Sequence, residues 1–147
     1  GTAEALRITQ ESLDGDRARI GGRSRRLRDG VLRSVAQSTL NGHPEQRLAN
    51  NVSISFAGTD ARDLLGDLDD AGIACSAGAA CGATTLEPSH VLLAMGVPLD
   101  RAVSTLRFSV GHETTDADID YVLATLPAIV KRSRAKRLQD SSATAAG

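Results

Sequence analysis

Helices and short strands joined by brief connections predict an α+β fold, a small sheet of short strands with helices packed on one side. Three stretches carry that expectation. Val52-Ser-Ile-Ser-Phe56 alternates apolar and polar residues with period two, and Ser104-Thr-Leu-Arg-Phe-Ser-Val110 does the same. Between them, Asp60 stands at a helix start, Leu64, Leu65 and Leu68 share one helical face, and Gly72 supplies a stop.

The remaining elements follow in chain order. Residues 1–40 are rich in Arg, Ala, Leu and Ser, and Ile20, Leu27, Val31, Leu32 and Val35 suit one or two helices despite Gly21-Gly22. Residues 41–51 are rich in turn formers, and the strand after them presents Val52, Ile54 and Phe56 to the core. A helix is expected from about residue 60 to 71, with Asp60 and Asp63 at capping spacing. Ile73-Ala-Cys75 reads as a short strand, and the small residues from Ser76 to Thr85 as a loop. Pro88 opens a helix carrying Val91, Leu92 and Met95, which Gly96 ends. In the strand 104–110, Leu106, Phe108 and Val110 face the core, so Thr105, Arg107 and Ser109 face away. A final helix starts at Thr115, kinks at Pro127, and fades through the basic run 131–137 into a disordered tail over 138–147.

Composition narrows the function. The 147 residues, 41% of them hydrophobic, suffice for one domain with a real core. A net charge of -1 gives no overall electrostatic pull toward nucleic acid or an anionic membrane, and no apolar run is long enough to span a bilayer. Phe56, Phe108 and Tyr121 are the only aromatic residues, which argues against base stacking. The start at Gly1-Thr2-Ala3, with no Met and no leader, suggests a cut end of a cytoplasmic protein. Cys75 and Cys81 lack the second ligand pair of a zinc site, and His43, His90 and His112 lack partners at metal spacing, so no metal is expected.

The chemistry-bearing candidates are a thiol and a guanidinium. Cys75, at a strand end, reads as an inert small hydrophobe. Cys81 lies past the strand signal among Gly, Ala, Ser and Thr, where backbone freedom is high and packing partners are few, which suits a reactive thiol. No Lys, Arg or His occurs from Cys75 to Glu87, so activation of Cys81 must come from elsewhere in the fold or from a ligand. Arg107 is either an exposed strand arginine without a task or a fork for a carboxylate, and the sequence does not separate the two. The histidines stay unassigned, and the basic run reads as a solvated helix end.

Several motifs in order carry a resemblance: Ser76-Ala-Gly-Ala-Ala-Cys81, Leu86-Glu-Pro-Ser-His-Val-Leu-Leu-Ala-Met-Gly96, Leu106-Arg-Phe-Ser-Val-Gly111 and Thr114-Thr115. From Gly1 to about Arg134 the chain resembles the C-terminal portion of the cysteine desulfurases, pyridoxal-phosphate enzymes of the class V aminotransferase group. The start and length of the Cys81 stretch resemble the long-loop subgroup that serves iron–sulfur assembly. The resemblance implies that residues 1–137 form the C-terminal small domain of a fold-type I enzyme whose large cofactor domain is absent from this chain. It implies that Cys81 takes sulfur from L-cysteine, leaving L-alanine and an enzyme persulfide destined for a sulfur acceptor such as an iron–sulfur scaffold protein or a tRNA thiolation system. Arg107 falls on the family arginine for the substrate carboxylate. Thr2 falls near a threonine that reaches the cofactor phosphate of the partner subunit in a homodimer.

The departures also bear on function. The family's cofactor-anchoring lysine has no counterpart, since Lys131 and Lys136 both lie in the basic run. The isolated chain is therefore expected to bind no pyridoxal phosphate and to be inactive. Ala77, Ala79 and Gly82 replace hydroxyl residues common in the family, which leaves fewer hydrogen bonds to order the Cys81 stretch. Three rivals remain: a stand-alone sulfur-carrier or interaction module, a redox switch pairing Cys75 with Cys81, and a nucleic-acid binder acting through the basic run.

Overall fold

The computed structural model describes residues 1–77 and 88–145. Helix α1 (Thr2–Ser34) leads into strand β1 (Ser38–Leu40) and, after the turn-rich stretch, into β2 (Asn51–Phe56). Helix α2 (Ala61–Asp70) and strand β3 (Ser76–Ala77) follow, then the short helices α3 (His90–Ala94) and α4 (Leu99–Ala102), strand β4 (Thr105–Ser109) and helix α5 (Asp116–Ala145). The four strands form one antiparallel sheet in the order β1-β2-β4-β3.

Strand alternation divides the sheet into an apolar and a polar face. Ile54 pairs with Leu106 and Val52 with Phe108, and all four are buried with Phe56 and Val110. Against this face pack Leu27, Val31 and Val35 of the first helix and its exit, Leu64 and Leu68 of α2, and Ile119, Leu126, Ile129 and Val130 of α5. The core is thus aliphatic apart from two phenylalanines, and the long helices lie on one side, as the fold class requires. On the other face Ser53 pairs with Arg107, which pairs in turn with Ser76.

Local chemistry accounts for the helix ends. The Asp60 carboxylate accepts from the backbone N–H of Arg62 at 2.8 Å, satisfying one orphan donor of α2. At the far end Gly72 takes φ 73°, and the N–H of Ile73 returns to the carbonyl of Leu68 at 2.8 Å. Helix α5 carries a reciprocal cap, in which Thr115 N–H donates to Asp118 at 2.7 Å and Asp118 N–H donates to Thr115 Oγ1 at 3.2 Å. Gly30 lets α1 approach α5 closely, because a Cβ there would lie 2.5 Å from Cδ2 of Leu123.

Several expectations are corrected. The expected one or two helices are one, Thr2–Ser34, continuous through Gly21-Gly22 because Gly21 is buried on the packed side near Ala49, where a small residue fits; the other elements differ more. Residues 38–40, expected as helix, form β1, which gains its hydrogen bonds from β2 rather than from any pattern of its own. Ile73–Cys75 is no strand, because Ile73 closes the end of α2; pairing begins at Ser76 and Ala77, which the sequence assigned to a loop. Ser89, not Pro88, caps α3, its hydroxyl accepting from Leu92 N–H at 3.4 Å, while α4 was not foreseen. Helix α5 contains Pro127 and extends to Ala145, past residue 138, where a disordered tail was expected.

The basic run is engaged by its own domain. Arg132 pairs with Asp67 at 3.3 Å, and Lys136 with Asp63 at 3.0 Å. Arg134 donates to the carbonyls of Ala57 and Ala36 at 2.9 and 2.8 Å, tying α5 to the turns beside β1 and β2. No described helix is long and apolar enough to cross a membrane.

Candidate functional site

The polar face of the sheet is the floor of an open cleft of about 690 Å3. Ser53, Thr105 and Arg107 line it from the sheet, Asn41, His43 and Arg47 from the turn-rich stretch, and Ser89, His90, Val91 and Met95 from the start and outer side of α3. The side chains on this floor follow from strand register, since Ser53, Ser55, Thr105 and Arg107 all point away from the aliphatic core.

Beneath the cleft lies a buried polar cluster. Asn41 Nδ2 donates to Ser55 Oγ at 3.0 Å, Ser55 Oγ donates back to Asn41 Oδ1 at 3.1 Å, and Ser55 Oγ and Thr105 Oγ1 lie 2.8 Å apart. Thr105 Oγ1 also reaches the carbonyl of Arg101 at 2.8 Å. Each of these side chains is buried, so the mutual hydrogen bonds offset their loss of water and hold β1, β2 and β4 in register under the site. Strand alternation places Ser55 and Thr105 on this face, whereas Asn41, in the turn-rich stretch, carried no such signal.

Arg107 is exposed in the middle of β4 and has no hydrogen-bond or ion-pair partner among the described residues. Arg47, the cleft's other guanidinium, donates to the carbonyl of Asn51 at 3.0 and 3.2 Å and to that of Asn41 at 3.4 Å. Burial and then the nearby Arg28 charge lower its pKa. No carboxylate occurs among the described residues that line the cleft. The surface is therefore suited to an anionic group, with Arg107 the uncommitted fork.

Cys81 lies outside the described residues, as do Ala79 and Gly82. The described residues that bracket its segment, Ala77 and Pro88, both line the Arg107 cleft. Cys75 is half-buried against the core, and burial, with the Asp69 charge second, pushes its thiol up to about 11, as expected of an inert cysteine. Thr2 is the first residue of α1, exposed, and is not among the residues lining the cleft.

The histidines divide by task. His43 Nδ1 accepts from the N–H groups of Glu45 and Gln46 at 3.1 and 2.9 Å and so caps a turn. His112 Nε2 lies 3.1 Å from Asp16. His90 is exposed at the cleft, the one histidine there whose ring nitrogens are uncommitted among the described residues. No group of His, Cys, Asp and Glu side chains among the described residues could hold a metal ion. Neither lysine lines the cleft, and Lys136 is paired with Asp63, so this surface offers no amine to anchor a carbonyl cofactor.

Similarity to known proteins runs along nearly the whole chain. Cysteine desulfurase IscS 1 of Archaeoglobus fulgidus is 42% identical over 137 residues, covering 91% of this chain and 35% of the relative. The IscS-like cysteine desulfurase of Mycobacterium tuberculosis is 41% identical over 145 residues, covering 98% of this chain and 37% of the relative. The chain thus spans about a third of the length of the curated relatives it matches. Among solved structures, a NifS-like protein superposes with a TM-score of 0.74 at 26% identity, over 88% of this chain and 32% of that one. A NifS-like protein from Rickettsia africae shares the fold with a TM-score of 0.72 over 84% of this chain and 31% of that one. The Aminotransferase class-V family profile matches residues 1–122, and the chain belongs to that family.

Proposed function

We propose that this chain is the C-terminal portion of a cysteine desulfurase, and that its cleft receives L-cysteine. The observation that carries the reading is that Arg107, without a partner among the described residues, and both ends of the Cys81 segment line one cleft. Cys81 follows Ala77 by four residues, at most ~14 Å of extended chain, which is within reach of a ligand on Arg107. The curated relatives quoted above are cysteine desulfurases, which supports the same reading.

In this reading Arg107 grips the substrate carboxylate through two parallel hydrogen bonds, fixing the amino acid over the polar face. The buried Asn41–Ser55–Thr105 cluster keeps the three strands below it from shifting. The Cys81 thiolate attacks the substrate sulfur, a sulfur–sulfur bond forms, and the carbon–sulfur bond breaks. Its electron pair stays on carbon, which takes a proton to give L-alanine, while the substrate sulfur remains on Cys81 as a persulfide. Pyridoxal phosphate in the whole enzyme would supply the electron withdrawal that makes the substrate carbon able to accept that pair. Neither lysine of this chain lines the cleft, so the cofactor's anchor would belong to another part of the enzyme. The persulfide would then pass to an acceptor protein, and Thr2, at the tip of α1, would contact the cofactor phosphate of a partner subunit.

The decisive experiment is Cys81→Ser in the whole enzyme. Sulfide and persulfide production should vanish while the cofactor's absorbance is unchanged; retained turnover of L-cysteine would overturn the assignment.

A further inference from the structure

We propose that the pocket between the middle of α1 and the stretch 44–52 binds a small oxyanion of at least two negative charges, of the phosphate or pyrophosphate kind. The pocket encloses about 310 Å3 and stands apart from the Arg107 floor, with Arg47, Leu48 and Asn51 forming the wall between the two spaces. The inference is independent of the desulfurase reading.

Four guanidinium groups, those of Arg17, Arg25, Arg28 and Arg47, line the pocket against one carboxylate, that of Glu45. The commitments of these arginines are unequal. Arg28 donates to Asp29 at 2.7 Å and to the carbonyl of Pro44 at 2.9 Å, and Arg47 is held by backbone carbonyls. Arg17 and Arg25 have no hydrogen-bond or ion-pair partner among the described residues, although their positive charge faces that of two more arginines. Burial first, and then the Arg28 charge, lower the pKa of Arg47.

A second observation points to a ligand. Ser24 lines the pocket, is 5% exposed, and its hydroxyl has no hydrogen-bond partner among the described residues. A buried hydroxyl without a partner is unfavourable, and a turn of the Ser24 side chain toward the pocket would let an oxyanion accept from it. Guanidinium groups in turn match the paired oxygens of a phosphoryl group far better than a halide ion. Gly21 completes the cradle: a Cβ there would meet Arg25 Nη1 at 3.4 Å and narrow the space in which that side chain can turn toward a ligand.

The test is calorimetric titration of this chain with inorganic pyrophosphate at constant ionic strength, beside titrations with inorganic phosphate and a hexa-aspartate peptide. Saturable binding of pyrophosphate is expected, weakened roughly tenfold by Arg25→Gln, as loss of one charge-assisted hydrogen bond predicts. Arg33→Gln, an equal change of charge on the exposed end of α1, should leave it unchanged. Ser24→Ala should weaken binding while leaving the ligand-free melting temperature unchanged or higher, which a structural serine would not do. The proposal is overturned by absent saturation, by equal losses in the Arg25 and Arg33 variants, or by tighter binding of the peptide, which would assign the pocket to an acidic protein segment.

Discussion

Cys75 and Arg107 sit one residue out of register across the β3–β4 pairing, yet their surroundings give them opposite chemistry. Cys75 turns into the apolar side, where water is scarce and the thiolate is disfavoured up to about pH 11. A thiol that ionises less readily when folded makes unfolding release a proton, so stability should be full below pH 9.0, the ordinary thiol value, and fall as the pH rises through 11. Urea midpoints measured from pH 8 to 11 should therefore decline more in the wild type than in Cys75→Ala. Arg107 stays in water with its fork open. Arg107→Ala in the whole enzyme should raise KM for L-cysteine about tenfold or more with a smaller change in kcat, and Arg107→Lys should recover only part, since an ammonium cannot make two parallel bonds. An unchanged KM would remove the carboxylate clamp from the mechanism. The orientation of Arg107 was legible in the sequence, because alternation about Leu106 and Phe108 already turned it outward, whereas the strand end from which Cys75 reads as inert is not there. Asn41 was not legible, since nothing in a turn-rich stretch marks one amide as the partner of hydroxyls 14 and 64 residues away.

Among the elements, capped helices were readable and short strands were not. Asp60, Gly72, Thr115 and Asp118 act through their immediate neighbours, so their types and spacing reveal them. The three-residue β1 and two-residue β3 exist only through β2 and β4, and no periodicity can develop over so few positions. The same locality makes the caps testable. Asp60→Ala should destabilise the fold by about 1 kcal/mol at neutral pH, read as a shifted denaturation midpoint. The Asp60 carboxyl is held below its ordinary value chiefly by hydrogen bonds from the Arg62 side chain. A carboxylate that ionises more readily when folded stabilises fully above pH 3.8, and that contribution disappears as the pH falls through its depressed value. The difference between Asp60→Ala and wild type should accordingly persist at pH 5 and shrink in stronger acid; a constant difference would show that the cap acts without its charge.

For the whole molecule, the sheet has one face covered by helices α1, α2 and α5 and one that is the floor of an open cleft. On the proposed reading, an enzyme built on this cleft would need a second body to bring the cofactor; the chain is about a third as long as its curated relatives. The isolated chain, mixed with pyridoxal phosphate and L-cysteine, should release no sulfide and leave the cofactor spectrum unshifted, and measurable turnover would overturn this division of labour. The fold class was legible because alternation and helical periodicity are local. Strand order β1-β2-β4-β3 and the convergence of Ala77 and Pro88 on Arg107 were not, because they depend on which distant segments share a sheet edge.

The first half of α1 has a mechanical consequence. Residues 1–15 are all exposed, and Glu4 and Glu11 pair with Arg7 along its surface, so the segment projects from the core as a stiff rod supported by its own side chains. From the buried Gly21 to Thr2 is ~28 Å at 1.5 Å per residue. A tilt of about 10° at Gly21 would carry the tip through ~5 Å, more than the length of a hydrogen bond. Whatever Thr2 touches is therefore aimed by the seating of Gly21 at the far end, and a small substitution there would act as a lever on a contact that it never approaches.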